Sequence, residues 1–122
     1  RTRNPIKSLT LGSNFSNITA CSNDFSFDDI FQREYQALSN SNDSLIAIST
    51  SGNSSNIKKV IEYAKNKKRN WILLTSDKIS EIYKGGVIIP FPYTSTAAIQ
   101  ECHIFTLHIL CKALDELIFG LR

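Results

Sequence analysis

The chain has no methionine, one tryptophan, five glycines and three prolines in 122 residues. So little glycine and proline excludes a collagen-like or low-complexity chain. Three cysteines, Cys21, Cys102 and Cys111, are an odd number and show no C-x-x-C spacing, which argues against a disulfide framework or a cysteine zinc site. Cys102 and Cys111 fall on opposite sides of any helix that holds both, so all three are expected to be reduced thiols in a core, as in cytosol. No apolar run approaches the ~20 residues that cross a bilayer, and the opening "RTRNPIKS" lacks the apolar stretch of a secretory signal. A cytoplasmic protein with no membrane partner is expected. The start on Arg1 without methionine further suggests that an upstream segment is missing, together with any functional group it carries.

Charge of one sign is also scarce. The net charge is +3, and its main basic cluster (Lys58, Lys59, Lys65, Lys67, Lys68, Arg69) lacks the interleaved aromatics of a nucleic-acid surface. A solvated helix face is the expectation, with no nucleic-acid partner. What is present, 42% apolar and 20% charged residues, belongs to a globular protein. One domain spanning 1–122 can bury roughly two-thirds of its unfolded surface.

Hydrophobic spacing sets the elements. Ser8 to Leu11 reads as a short strand, and Phe15, Ile18 and Thr19 as a brief helix with Asn23-Asp24 at its far end. Ser26 and Asp29 resemble a capping box ahead of a helix carrying Ile30, Phe31, Tyr35 and Leu38. Leu45–Ile48 and Trp71–Leu74 are apolar runs expected to be strands covered on both faces. Ile57, Val60, Ile61 and Ala64 repeat at helical spacing between them. Ser76 is placed to cap a short helix running through Tyr83, Gly86–Ile89 forms a third strand, and "PFPYTST" connects it to a long helix from about Thr96 to Phe119. Apolar residues cover most of that last helix, so it is expected to be largely buried. Strands alternating with helices imply an α/β fold, a three-layer sandwich with a parallel sheet and helices on both faces.

Six small or hydroxylated residues, Ser49, Thr50, Ser51, Gly52, Asn53 and Ser54, follow the first apolar strand and precede a helix. Ligands of open α/β sheets bind beyond the carboxyl ends of the strands. The next helix offers unpaired amides and the positive end of its dipole, and four hydroxyls add donors, an arrangement suited to a phosphomonoester. The G-x-x-x-x-G-K-[ST] and G-x-G-x-x-G patterns of nucleotide sites are absent. An alternative remains open at this level, in which Ser54 or Ser55 merely caps the helix.

"AISTSGNSSNIKKVIEYAK" closely resembles the phosphosugar-binding loop of sugar isomerase (SIS) domains. "ITACSNDFSFDDIFQRE" and "IQECHIFTLHILC" resemble two further stretches of phosphoheptose isomerases, in the family's order. The resemblance, which covers most of Leu9 to Leu117, implies a flavodoxin-like SIS fold lacking its N-terminal part. It also implies aldose-ketose isomerisation of sedoheptulose 7-phosphate to D-glycero-D-manno-heptose 7-phosphate, feeding lipopolysaccharide or capsule, in a homotetramer. By the same resemblance His108 is a catalytic proton-transfer group, with a glutamate upstream of Arg1. Ser49, Thr50, Ser51 and Ser54 match the phosphate loop, Asn23 and Asp24 match substrate contacts, and Gln100 matches a substrate contact. Gln100 and His108 match two ligands of the zinc that several members hold. Eight residues separate those two, ~12 Å along a helix, which strains direct ligation of one ion by both. His103 is read as structural, and Asp77 and Glu101 as surface or capping carboxylates. The chain departs from the family at "SDKISEIYKGG", where a glycine-rich turn is common, and at Ala98, where arginine is frequent. A non-catalytic SIS module, such as the relatives that bind the replication initiator, is the alternative.

Overall fold

In the computed structural model, residues 3–79 and 84–120 are described. Three parallel strands, β1 (Leu45–Ile48), β2 (Trp71–Ser76) and β3 (Val87–Phe91), pair in the order β1-β2-β3. Leu45 lies opposite Trp71, and Ser76 lies opposite Phe91. The helices are α1 (Phe15–Asp24), α2 (Ile30–Leu38), α3 (Ser55–Asn66) and α4 (Thr96–Phe119), with a 3₁₀ turn at Phe27–Asp29.

Side chains alternate across a strand, so Leu45, Ala47, Trp71 and Leu73 share one face. They pack with Val60, Ile61 and Ala64 of α3 and with Tyr35 of α2, forming the core. On the other face α4 crosses β2, burying Ile99 and His103. The expected three layers are therefore present. β2 is covered on both sides, but β1 is not: Ile46 and Ile48 of its second face are each 44% exposed. α4 packs on β2 and meets β3 through His103 and Phe91, and leaves this face of β1 open.

α4 itself departs from expectation. At 24 residues it extends ~36 Å, about twice the length of the strands beneath it. Its first turns lie on the sheet while the rest runs beyond it, and only Ile99 and His103 are buried. Arg3 is the main tie to its far end, pairing with Asp115 at 2.7 Å and lying over the Phe119 ring.

Four local readings are corrected as well. Ser8–Leu11 is irregular backbone, because it finds no strand to ladder with among the described residues. Leu11 packs against the core, and the Gly12 amide donates to Glu34 at 2.6 Å. Ser26 caps through the Asp28 amide, while Asp29 does not bond back; it pairs with Lys59 of α3 at 2.7 Å. Cys21 and Cys102 are half-buried and Cys111 is exposed, so none is a core residue. In the basic cluster, Arg69 is not merely solvated: it lies over the rings of Tyr35 and Tyr63 and bonds Ser39. Ser76 ends β2, and the short helix expected after it falls partly outside the described residues.

Candidate functional site

Ser49 follows β1 directly and stays in the sheet, its amide donating to the Leu74 carbonyl at 3.0 Å. The chain then reverses at Gly52, whose φ is +68°. A Cβ there would lie 2.6 Å from Thr75 Oγ1 and 2.9 Å from Ile79 Cγ1, so only glycine lets the loop settle on the end of β2. Internal bonds hold the loop's shape. The Gly52 amide donates to Ser49 Oγ at 3.1 Å, the Asn53 amide donates to Ser51 Oγ at 3.1 Å, and the two hydroxyls of Ser49 and Ser54 meet at 3.4 Å.

These bonds bear on the two readings of the loop. Ser54 is the N-cap of α3, yet its side chain accepts no bond from the helix amides. The amides of Ser55 and Asn56 have no acceptor among the described residues, and the first turn holds no acidic side chain. Helices normally satisfy these donors with a cap or a carboxylate. Ser49 Oγ and Ser51 Oγ act as acceptors in the loop, which leaves their O–H groups able to donate. Thr50 and Ser51 are half-buried and Ser54 is exposed at the loop surface. The result is a rigid ring of donors with an unsatisfied helix start, complementary to an oxyanion.

The remaining candidates lie elsewhere. Asn23 and Asp24 end α1, exposed, with the Asn23 amide group donating to Asp24 Oδ1 at 2.8 Å. Gln100 and His108 are both exposed on α4. Nothing brings either helix pair into hydrogen-bond reach of the hydroxyl loop. Among the described residues no three His, Cys, Asp or Glu side chains gather closely enough to hold a metal. Gln100 and His108 therefore do not make a zinc site by themselves.

Three residues near the loop escaped the sequence reading. Thr75 Oγ1 is wholly buried beneath Gly52 and has no hydrogen-bond partner. Asn53 donates through Nδ2 to the Lys78 carbonyl at 3.2 Å, tying the loop to the turn after β2. Asp77, expected to be a surface or capping carboxylate, fixes that turn to the next connection: its amide donates to the Phe91 carbonyl at 2.9 Å and its Oδ1 accepts from the Tyr93 amide at 3.0 Å. Pairing of β1 with β2 brings Asn53 and Gly52 to the end of β2, and pairing of β2 with β3 brings Asp77 to Phe91 and Tyr93, so no local pattern could have shown these contacts. His103 is structural in its packing, tilted against Phe91 at 5.8 Å between ring centroids. Contrary to the usual habit of buried histidines, neither of its nitrogens has a hydrogen-bond partner among the described residues.

A glycine-hinged hydroxyl loop that opens a helix beyond the carboxyl end of a parallel strand is the arrangement of an α/β domain of the open-sheet class. The SIS domain family model matches residues 8–101, and the chain belongs to that family. It is similar to the phosphoheptose isomerase of Chromohalobacter salexigens, 37% identical over 124 residues, covering 98% of this chain and 63% of the relative. Among solved structures it resembles the phosphoheptose isomerase of Neisseria gonorrhoeae, with a TM-score of 0.82, 34% identity and coverage of 88% and 61%. The Francisella tularensis phosphoheptose isomerase is similar with a TM-score of 0.85, 31% identity and coverage of 92% and 63%. The chain thus spans a little over three-fifths of the length of these relatives.

Proposed function

We propose that the protein containing this chain is an aldose-ketose isomerase acting on sedoheptulose 7-phosphate, yielding D-glycero-D-manno-heptose 7-phosphate for lipopolysaccharide or capsule. The observation that carries the reading is the uncapped start of α3, where Ser54 leaves the helix amides unsatisfied beside the hydroxyls of Ser49 and Ser51. The phosphate of the substrate binds there, in a set of donors that needs no rearrangement. The similarity to phosphoheptose isomerases supports a heptose phosphate as the sugar.

The chemistry moves a proton between adjacent carbons through an enediol. It requires a base, an acid and stabilisation of charge on oxygen. In this reading His108 carries one proton transfer, and a glutamate from outside the described residues carries the other. Gln100, two turns earlier on α4, orients the substrate oxygens, and Asn23 and Asp24 contact its hydroxyls. Zinc enters only as an ion completed by donors from outside the described residues, and when bound it would polarise the substrate carbonyl. The exposed apolar side chains of α4 fit assembly as a homotetramer, in which sites are completed across subunits.

The test is NMR of the full-length protein with sedoheptulose 7-phosphate in deuterated buffer. Conversion with solvent deuterium entering at the transferred position is expected, and His108→Ala should lower the rate by about 100-fold or more. An intact protein that binds the sugar phosphate but neither exchanges nor converts it would leave a non-catalytic phosphosugar-binding module.

A further inference from the structure

The turn after β2 carries Lys78, and the structure ties that lysine to the hydroxyl loop at one end and to an aromatic ring at the other. The Lys78 carbonyl accepts from Asn53 of the hydroxyl loop at 3.2 Å. Its ammonium lies 3.3 Å from the centroid of the Tyr93 ring. Tyr93 is anchored in turn, with its amide on Asp77 Oδ1 and its hydroxyl 3.4 Å from Thr96 Oγ1 in the first turn of α4. The Lys78 ammonium therefore lies between the connection that starts α4 and the loop that starts α3.

Neither of the helices that these segments start offers this cation an acidic partner in its first turn. Helix N-termini themselves carry partial positive charge. Asp77, the neighbouring carboxylate, is turned to the Tyr93 amide, and no carboxylate pairs with Lys78 among the described residues. The tyrosine face steadies it, since a ring quadrupole attracts an ammonium while leaving its solvent side open to an anion. Beneath the same loop, the Thr75 hydroxyl is fully buried against Gly52 and has no hydrogen-bond partner among the described residues.

We propose that Lys78, tied to the hydroxyl loop through its carbonyl and steadied on Tyr93, is a further binding residue for the sugar phosphate, supplying its ammonium to the phosphate. The proposal rests on the phosphosugar reading of the loop and adds a formal charge to a site otherwise built of neutral donors. A site of this kind favours the dianion over the monoanion, and its affinity falls with ionic strength.

Calorimetric titration of the full-length protein with sedoheptulose 7-phosphate, and separately with inorganic phosphate, tests this. Lys78→Met should weaken both ligands about three- to tenfold and flatten the salt dependence, while Lys78→Arg retains most of the affinity. Tyr93→Leu should give a smaller loss in the same direction. A thermal melt of Lys78→Met within a degree or two of the parent shows that the fold is intact. If Ser51→Ala and Ser54→Ala weaken binding but Lys78→Met leaves affinity and salt dependence unchanged, the lysine proposal fails and the loop reading stands. If all three variants bind as the parent does, the loop reading fails with it.

Discussion

At the scale of single residues, the site depends on Gly52 more than on any hydroxyl. Its φ of +68° is unfavourable for other residues, and Thr75 Oγ1 stands where a Cβ would go. Gly52→Ala should cost about 2–3 kcal/mol in urea denaturation and weaken phosphate binding together, because loop shape and packing share one contact. Ser51→Ala and Ser54→Ala behave differently: stability changes little, and sugar-phosphate affinity drops roughly tenfold or more, as expected for a hydrogen bond to a charged group. Binding unaffected by either serine change would return both side chains to a purely local role. Four of the proposed phosphate residues were legible because they are contiguous in sequence. Asn53 and Lys78 are 25 positions apart and meet only through Asn53 Nδ2.

Elements were legible in proportion to how local their signals are. α3 carries its apolar residues at helical spacing and appears where that spacing puts it, at Ser55–Asn66. The opening segment failed as a strand because a strand is defined by its neighbour, and spacing carries no information about neighbours. Two contacts between elements yield measurable predictions. Gly86 lies against the Trp71 indole, where an added Cβ would sit 2.2 Å from Cδ2 and Cε2. Gly86→Ala should therefore destabilise the β2–β3 pair by about 3 kcal/mol, read by urea melts and tryptophan fluorescence. The Lys59–Asp29 pair joins the 3₁₀ turn to α3, and the hydrogen bond that Lys59 donates to Asp29 raises the Lys59 pKa above its ordinary value. A cation with a raised folded pKa stabilises fully below its unfolded value and loses that contribution as pH rises through the folded one. The difference in Tm between the parent and Lys59→Met should then be constant from neutral pH to about 10 and shrink above it. A difference that instead grows with alkalinity would contradict the pairing.

For the whole molecule, the notable quantity is apolar surface left uncovered. Phe105 and Leu117 of α4 are 68% and 83% exposed, and Ile46 and Ile48 open the second face of β1. Surfaces of this kind mark places where more protein packs. The full-length protein should run as a tetramer by light scattering, and Phe105→Asp with Leu117→Asp should yield smaller species that keep the helical circular dichroism signal. A monomeric parent would remove the assembly from the proposal. By itself the sequence determined the alternation of strands and helices and the position of the hydroxyl loop between β1 and α3, because each rests on periodicity or on residues adjacent in the chain. Which face of each strand stays open, how far α4 outruns the sheet and which lysine joins the loop were decided by tertiary structure. Those features depend on distances between segments remote in sequence, and the pairing of β2 with β3 and the seating of α4 on β2 set them only when the chain is folded.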